Sequence, residues 1–378
     1  PFMPTSSFGD IMGGFGDLFE ALGIPPMSIG GEGKKITIGQ YDNYGATLSL
    51  QQPIFTGGKI KNAFNIAQIS SRVAESDYQK SKSDLILNVE KSYWTVIQIQ
   101  EFAKVAQEAV DLMQAHLQDL DNMYQVGMVT NNDLLLAKVQ LSNARLNLIK
   151  ANNGVKMAKT GFCSVIGIPL TTDVVLSDTL NYQPLAGVDL RQSIQNALIN
   201  RPEKQTMNLN IKMAKKGVSI TKAGYYPNIF VVGNYNYKRP DREYNPDFYT
   251  SWNISLLAQL NLFDWGESSL KVQEARNRLV QLQQVDRQLE DGINLEVTQS
   301  FLALNEAKEK IEATKINVEQ AKENYRVTDE KFKQGLATNT ELLDANILLT
   351  KAKTDYISAK IDYKIATASL RKATANSN

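Results

Sequence analysis

Tyr124–Leu148, YQVGMVTNNDLLLAKVQLSNARLNL, and Phe332–Tyr356, FKQGLATNTELLDANILLTKAKTDY, are two versions of one pattern, 332 − 124 = 208 residues apart. In each, a glycine is followed three residues on by a threonine, and the threonine three residues on by an acid: Gly127, Thr130, Asp133 and Gly335, Thr338, Glu341. Glycine can close a helix in the left-handed conformation that other residues avoid. Threonine followed by an acid at that spacing is a capping box, strictly so with Glu341 and with Asp133 as a shorter substitute. The spacing predicts one helical hairpin tip, made twice.

The offset holds well beyond the tips. Gln51 matches Gln259, Phe55 matches Phe263, Gly58 matches Gly266 and Ala67 matches Ala275, all without a gap. Leu134 and Leu135 match Leu342 and Leu343, and Tyr44 falls on Trp252. Two unrelated helices seldom keep register through a strand and a turn. The chain is therefore an internal duplication of strand, long helix, turn and helix.

The helices are long. There is no proline from Gly58 to Asn122 or from Gly266 to Asn378. In the second block Leu279, Leu282, Leu289, Ile293, Phe301, Leu304 and Ile311 recur mostly at spacings of 3, 4 or 7, as in a coiled-coil seam. A helix of about 65 residues would be about 100 Å long. Before each rod lies an alternating segment. In YTSWNISLLAQLNLF, Trp252, Ile254, Leu256, Ala258, Leu260 and Leu262 share one face, and Ser251, Asn253, Ser255, Gln259 and Asn261 the other, with Leu257 the exception. In YGATLSLQQPIF, Tyr44, Ala46, Leu48, Leu50 and Ile54 share a face. A third segment from Asn228, NIFVVGNYNYK, ends in tyrosines. A soluble sheet and a membrane β-barrel both fit this alternation.

Composition removes several classes. Lys+Arg number 41 and Asp+Glu 40, a formal net charge of +1 with no long basic run, which argues against nucleic acid as a partner. The one cysteine, Cys163 in GFCSVIG, reads as a small buried hydrophobe. The one histidine, His116, reads as a helix-surface residue and leaves no histidine-rich metal site and no marked triad. No GxxxxGK[ST] phosphate loop is present. Neither catalytic residues nor a cofactor are expected. No apolar run approaches the ~20 residues of a membrane helix. The Gly- and Pro-rich opening, residues 1–40, reads as the middle of a loop, so a further N-terminal segment is expected before it. Two function classes remain: a pore, or a coiled-coil scaffold or tether without one. The scaffold accounts for the rods but not for strands placed at the same point of each repeat.

Taken in order, these features resemble the TolC family of bacterial outer-membrane efflux proteins. The resemblance rests on the strand-to-helix junctions QQPIFTGGKI and LNLFDWGESS, on the doubled tip, and on Arg201-Pro202-Glu203 followed by a helix, Pro227 and a strand. It implies a mixed membrane α/β fold, a homotrimer in which each chain gives four strands to a shared twelve-stranded β-barrel. Long helices would continue it as a periplasmic coiled-coil tunnel. The first strand and its helix would precede Pro1. The implied layout is an extracellular loop and strand at 1–55, helical tunnel at 56–166, an equatorial region at 167–200, a helix opening the second repeat at 201–227, strands at 228–263, and helical tunnel at 264–375. The loop 1–40 would be longer than its counterpart 238–248.

By the same resemblance the protein would be an outer-membrane channel of a tripartite efflux or type I secretion system. Its partners would be a periplasmic adaptor, an inner-membrane pump of the RND or ABC type, and outer-membrane lipid against Trp252, Ile254, Leu256 and Leu260. The acidic pair of the periplasmic aperture falls on Glu341 and Asp344, three apart and so on one helix face. Asp133 is the first-repeat acid, while Leu136 stands where a second carboxylate would match Asp344. Phe332 occupies the place of the family's gate tyrosine and Ala337 that of a gating arginine, so the latch is expected to differ. Adaptor docking is expected at Gly127-Met128-Val129-Thr130 and Gly335-Leu336-Ala337-Thr338.

Overall fold

A computed structural model describes residues 43–185, 187–239 and 247–375. The order is strand β1 (Tyr44–Phe55), helices α1 (Lys59–Gln125), α2 (Asn131–Ile166), α3 (Leu190–Asn200) and α4 (Pro202–Lys222), a short 3-10 turn at Ala223–Tyr225, strands β2 (Asn228–Arg239) and β3 (Tyr249–Gln259), and helices α5 (Glu267–Lys333) and α6 (Asn339–Ala373). The helices α1 and α5 are each 67 residues long, and α2 and α6 are 36 and 35, so the duplication read from sequence is a duplication of structure. The loop expected at 1–40 and most of its counterpart lie outside the described residues. Two compact units are present, one of 1–62 with 219–272 and one of 63–218 with 273–378.

The first unit holds an antiparallel sheet in the order β1-β2-β3. Opposed residues share a face in such a sheet, so register assigns its two sides. Leu48 opposes Tyr235, which opposes Trp252; Leu50 opposes Gly233, which opposes Ile254; Val231 opposes Leu256. The other side carries Thr47, Ser49, Asn234, Asn236, Asn253 and Ser255, together with Phe230, Val232 and Leu257 towards the Asn228 end of β2, with Thr47 donating across to Asn236 Oδ1 at 3.0 Å. Neither side is covered: Leu48 is 75% exposed and Trp252 74%.

Two details depart from the sequence reading. Register shifts between Pro53 and Phe55, so Ile54 is the extra residue of a bulge and Phe55, opposite Ile229, takes the apolar side instead. Strand β3 ends at Gln259, opposite Asn228, and Leu260 lies just past it. The next residue across is Pro227, which has no N–H to extend the ladder.

The second unit is helical. The anticipated seam of α5 is real: Ile293, Leu304 and Ile311 are buried, and Leu279, Leu282, Leu289 and Phe301 half-buried. Leu304, Ala307 and Ile311 pack against Ala359, Tyr363, Ala366 and Leu370 of α6. The segment between α2 and α3 is strapped to this pair. Tyr363 accepts from the Leu185 amide at 2.8 Å and donates to the Gln183 carbonyl at 3.1 Å. Where α4 begins, Arg201 is bonded to Glu203 and Glu296, and Lys204 to Asp286 and Glu290, which ties α4 to α5. Cys163 is buried as expected, its thiol 3.6 Å from the Thr172 carbonyl. Among the described residues no helix is long and apolar enough to cross a membrane.

Candidate functional site: the paired hairpin tips

Both tips are built by local hydrogen bonding. At the end of α1, Gly127 has φ +75; its N–H donates to the Tyr124 carbonyl and that of Met128 to the Met123 carbonyl, at 3.0 and 2.9 Å. At the end of α5, Gly335 has φ +70; it donates to Phe332 and Leu336 to Lys331, at 2.9 and 2.8 Å. These are paired Schellman closures, which use carbonyls that the helix end leaves over. Both capping boxes close as well. The Asp133 amide donates to Thr130 Oγ1 at 3.2 Å and the Thr130 amide to the Asp133 carboxylate at 3.1 Å. The Glu341 amide donates to Thr338 Oγ1 at 3.2 Å and the Thr338 amide to the Glu341 carboxylate at 2.7 Å. Hydrogen bonds from the Thr130 side chain and backbone hold the Asp133 carboxyl below its ordinary range. Those from the Thr338 backbone and side chain do the same for Glu341.

The two tips pack against each other. Leu120, Leu134 and Ala137 of the first share one core with Phe332 and Leu342 of the second. Leu343 joins Val110, Met113 and Leu141 in an adjoining cluster. A buried polar clamp runs beside this core. Asn339, the first residue of α6, donates from Nδ2 to the Asp133 carbonyl at 3.1 Å. Its Oδ1 lies 2.8 Å from His116 Nε2, which must then carry the proton and donate. The His116 ring stands edge-on to Phe332, centroids 5.1 Å apart.

His116 is thus not a surface residue: it is 4% exposed. It lies between Met113 and Leu120 on the buried stripe of α1, a spacing that the sequence displays. Asn339 was not singled out by sequence, since an asparagine after a cap threonine is ordinary. Phe332 is 5% exposed, within the shared core rather than free at the tip. Glu341 and Asp344 are exposed on α6, and Asp133 is half-buried. Of the residues expected to dock a partner, Gly127, Met128, Thr130, Gly335, Leu336 and Thr338 are exposed. Val129 and Ala337, equivalent in the repeat, both turn towards the shared core. Among the described residues no group of three or more His, Cys, Asp or Glu could hold a metal ion.

The outer membrane efflux protein family model matches residues 29–167 and 193–376, which include both hairpins and all three strands. The chain belongs to that family. It is 22% identical over 336 residues to the alkaline protease secretion protein AprF of Pseudomonas aeruginosa, covering 88% of this chain and 69% of that protein. It is 22% identical over 323 residues to the outer membrane protein TolC of Vibrio cholerae, covering 82% and 72%. The solved structure of CusC superposes with a TM-score of 0.79 at 16% identity, covering 89% of this chain and 80% of that one. The fold is that of the TolC-like channels with their helical tunnel. The protein is an outer-membrane channel component of efflux and secretion systems, with its tunnel in the periplasm, and the scaffold reading is set aside.

Proposed function

We propose that this chain is one protomer of a homotrimeric exit duct, gated at the hairpin tips by a periplasmic adaptor and an inner-membrane pump. The observation that carries the proposal is the sheet. One side is apolar and the other mostly polar, interrupted by Phe230, Val232 and Leu257; both are uncovered, and β1 and β3 each pair on one side only among the described strands. Unpaired edges and an exposed apolar face are liabilities in water. Both are resolved in a closed barrel with lipid outside and a wet lumen inside. Twelve strands follow if each protomer gives four. Trp252, Ile254 and Leu256 then face lipid, with Leu260 at the end of that band. The segments 56–166 and 264–375 form the tunnel and 167–200 its equatorial belt.

At the tips, three-fold symmetry turns each exposed acid into a ring of three. Glu341 and Asp344, with Asp133 nearby, would favour cations in a narrow opening. Phe332 contributes through packing, since a phenyl ring offers no hydrogen bond. Met128 and Leu336, exposed beside Gly127 and Gly335, are the apolar contacts for an adaptor. AprF is a protease secretion protein and TtgC of Pseudomonas putida a probable efflux pump outer membrane protein. The pump, RND or ABC, selects between those uses.

Single-channel conductance of E341Q/D344N in a planar bilayer is the test. Glutamine at 341 keeps the acceptor of the capping box while removing its charge. The expected result is a folded channel of reduced cation selectivity. Unchanged selectivity would place the charge filter elsewhere, and a protein that stays in solution without detergent would remove the barrel.

A further inference from the structure

The turn from β3 into α5 carries a residue at odds with its backbone. Trp265 has φ +53 and Gly266 +85. The equivalent pair after β1, 208 residues earlier, is Gly57 at +60 and Gly58 at +82. Both repeats make the same left-handed turn, one with Gly-Gly and one with Trp-Gly. A side chain in that region costs roughly 1–2 kcal/mol. Trp265 recovers little of it within the described chain. It is 89% exposed, and its ring contact is the edge of Phe263 at 4.9 Å.

We infer that Trp265, with Phe263, is a lipid anchor that seats the start of α5 in the phospholipid headgroup layer of the periplasmic leaflet. This rests on the lipid-facing reading of the sheet and adds the depth at which the sheet sits. Tryptophan is enriched where an apolar ring and an N–H both find partners, at the membrane interface. The neighbours agree. Gly57 is pressed against Ala223 and Tyr226, and Gly224 lies towards Ser268 Oγ, so both turns flank the Ala223–Tyr226 corner at one end of the sheet. Tyr225 and Tyr226 are exposed there, as are Lys59, Lys61 and Lys222, whose ammonium groups suit lipid phosphates. The other end carries Tyr44, Tyr235, Tyr237 and Trp252, with Leu48 level with the last of them, and between the two ends lies the aliphatic band of Leu50, Val231, Ile254 and Leu256. From Tyr226 to Tyr235 is nine residues, about 30 Å of extended chain, most of it in β2. At the usual barrel tilt that projects to about 23 Å, close to the ~25 Å apolar band of outer-membrane barrels.

The three tryptophans, Trp94, Trp252 and Trp265, make the test direct. W94F/W252F leaves Trp265 and W94F/W265F leaves Trp252. Each is inserted into phosphatidylethanolamine/phosphatidylglycerol vesicles brominated near the acyl carbonyl or near the chain end, and iodide is added outside the lipid in parallel. Trp265 is expected to lose more emission to the shallow bromines than to the deep ones. Trp252 is expected to be quenched by lipid in the same vesicles. If Trp252 responds and Trp265 ignores both bromine depths, the anchor is wrong while the barrel stands: iodide quenching would then put Trp265 in water, and protection from iodide would put it against a second copy. If neither responds to lipid, the barrel reading fails with it. Should W94F/W252F not fold, the difference in quenching between wild type and W265F gives the same reading.

Discussion

His116 and Asn339, 223 residues apart in sequence, meet at 2.8 Å between the two hairpin tips. Asn339 reaches on to the Asp133 carbonyl, so one side chain links α1, α2 and α6. The clamp exists because the duplication is imperfect. Its counterparts, 208 residues away, are Asn131 for Asn339 and Asn324 for His116, and the structure pairs the two tips only once. The opening proposed for the tip needs a contact that holds without permanence, and a pair of hydrogen bonds beside a small apolar core suits it.

Asn339→Ala removes both bonds and leaves the His116 N–H buried without a partner, while the Asp133 carbonyl keeps only its bond within α2. The expected loss is about 2 kcal/mol of tip stability. In bilayers the variant is expected to show a larger or more frequently open conductance than wild type, with hydrogen exchange faster at 116–134 and 332–346 but unchanged in the strands.

The capping boxes give a pH dependence with a definite sign. Asp133 and Glu341 both have carboxyls held below their ordinary values by hydrogen bonds to Thr130 and Thr338. A depressed folded-state pKa contributes stability above the unfolded value and loses it as pH falls through the folded one. The tips should therefore hold firm down to about pH 4 and loosen below it. Thr338→Ala costs about 1 kcal/mol as a lost N-cap, and it should flatten the acid dependence of exchange at the second tip while leaving that of the first tip intact.

Local chemistry was legible and distant chemistry was not. Glycine, threonine and acid at fixed offsets predict each cap, because every partner lies within six residues. Strand sidedness was equally readable, since its period is two. Ile54 and Leu260 were placed imperfectly because a bulge and a strand end depend on the residues across the ladder, Phe230 and Pro227. His116 read as a surface residue because a lone polar side chain in an apolar stripe needs a partner, and that partner, Asn339, lies in the other repeat. The acids Glu341 and Asp344 were visible as a pair, and both are exposed on α6, but whether they line an opening turns on the assembly proposed above.

The Arg201 cluster is a second place where acid acts. Burial pushes the Glu203 carboxyl up, but the Arg201 guanidinium more than offsets this and holds it below the ordinary range. Its contribution is likewise present above about pH 4 and lost below it. Arg201→Met leaves Glu203 and Glu296 with Lys372, 3.7 Å from Glu296, as the remaining cation, and should cost about 3 kcal/mol, the usual penalty for breaking a buried pair from one side. The thermal midpoint of the detergent-solubilised protein would report it, and the double variant R201M/E296L should recover part of the loss.

Gly57 and Trp265 are equivalent positions in equivalent turns, and alanine should be costly at the first and nearly neutral at the second. At Gly57 a new Cβ would lie 3.0 Å from both the Ala223 carbonyl oxygen and Tyr226 Cβ, on a backbone at φ +60. The left-handed penalty and the clash together should exceed about 2 kcal/mol, since the carbonyl belongs to a backbone corner that cannot swing aside. At Trp265 the Cβ is already present and the ring is exposed, so Trp265→Ala leaves φ unchanged and removes only the edge contact with Phe263. Its midpoint in detergent should stay within about 0.5 kcal/mol of wild type. Equal losses at the two sites would mean that Trp265 packs against protein as closely as Gly57 does, and the pseudo-symmetry would then extend to the junction between protomers.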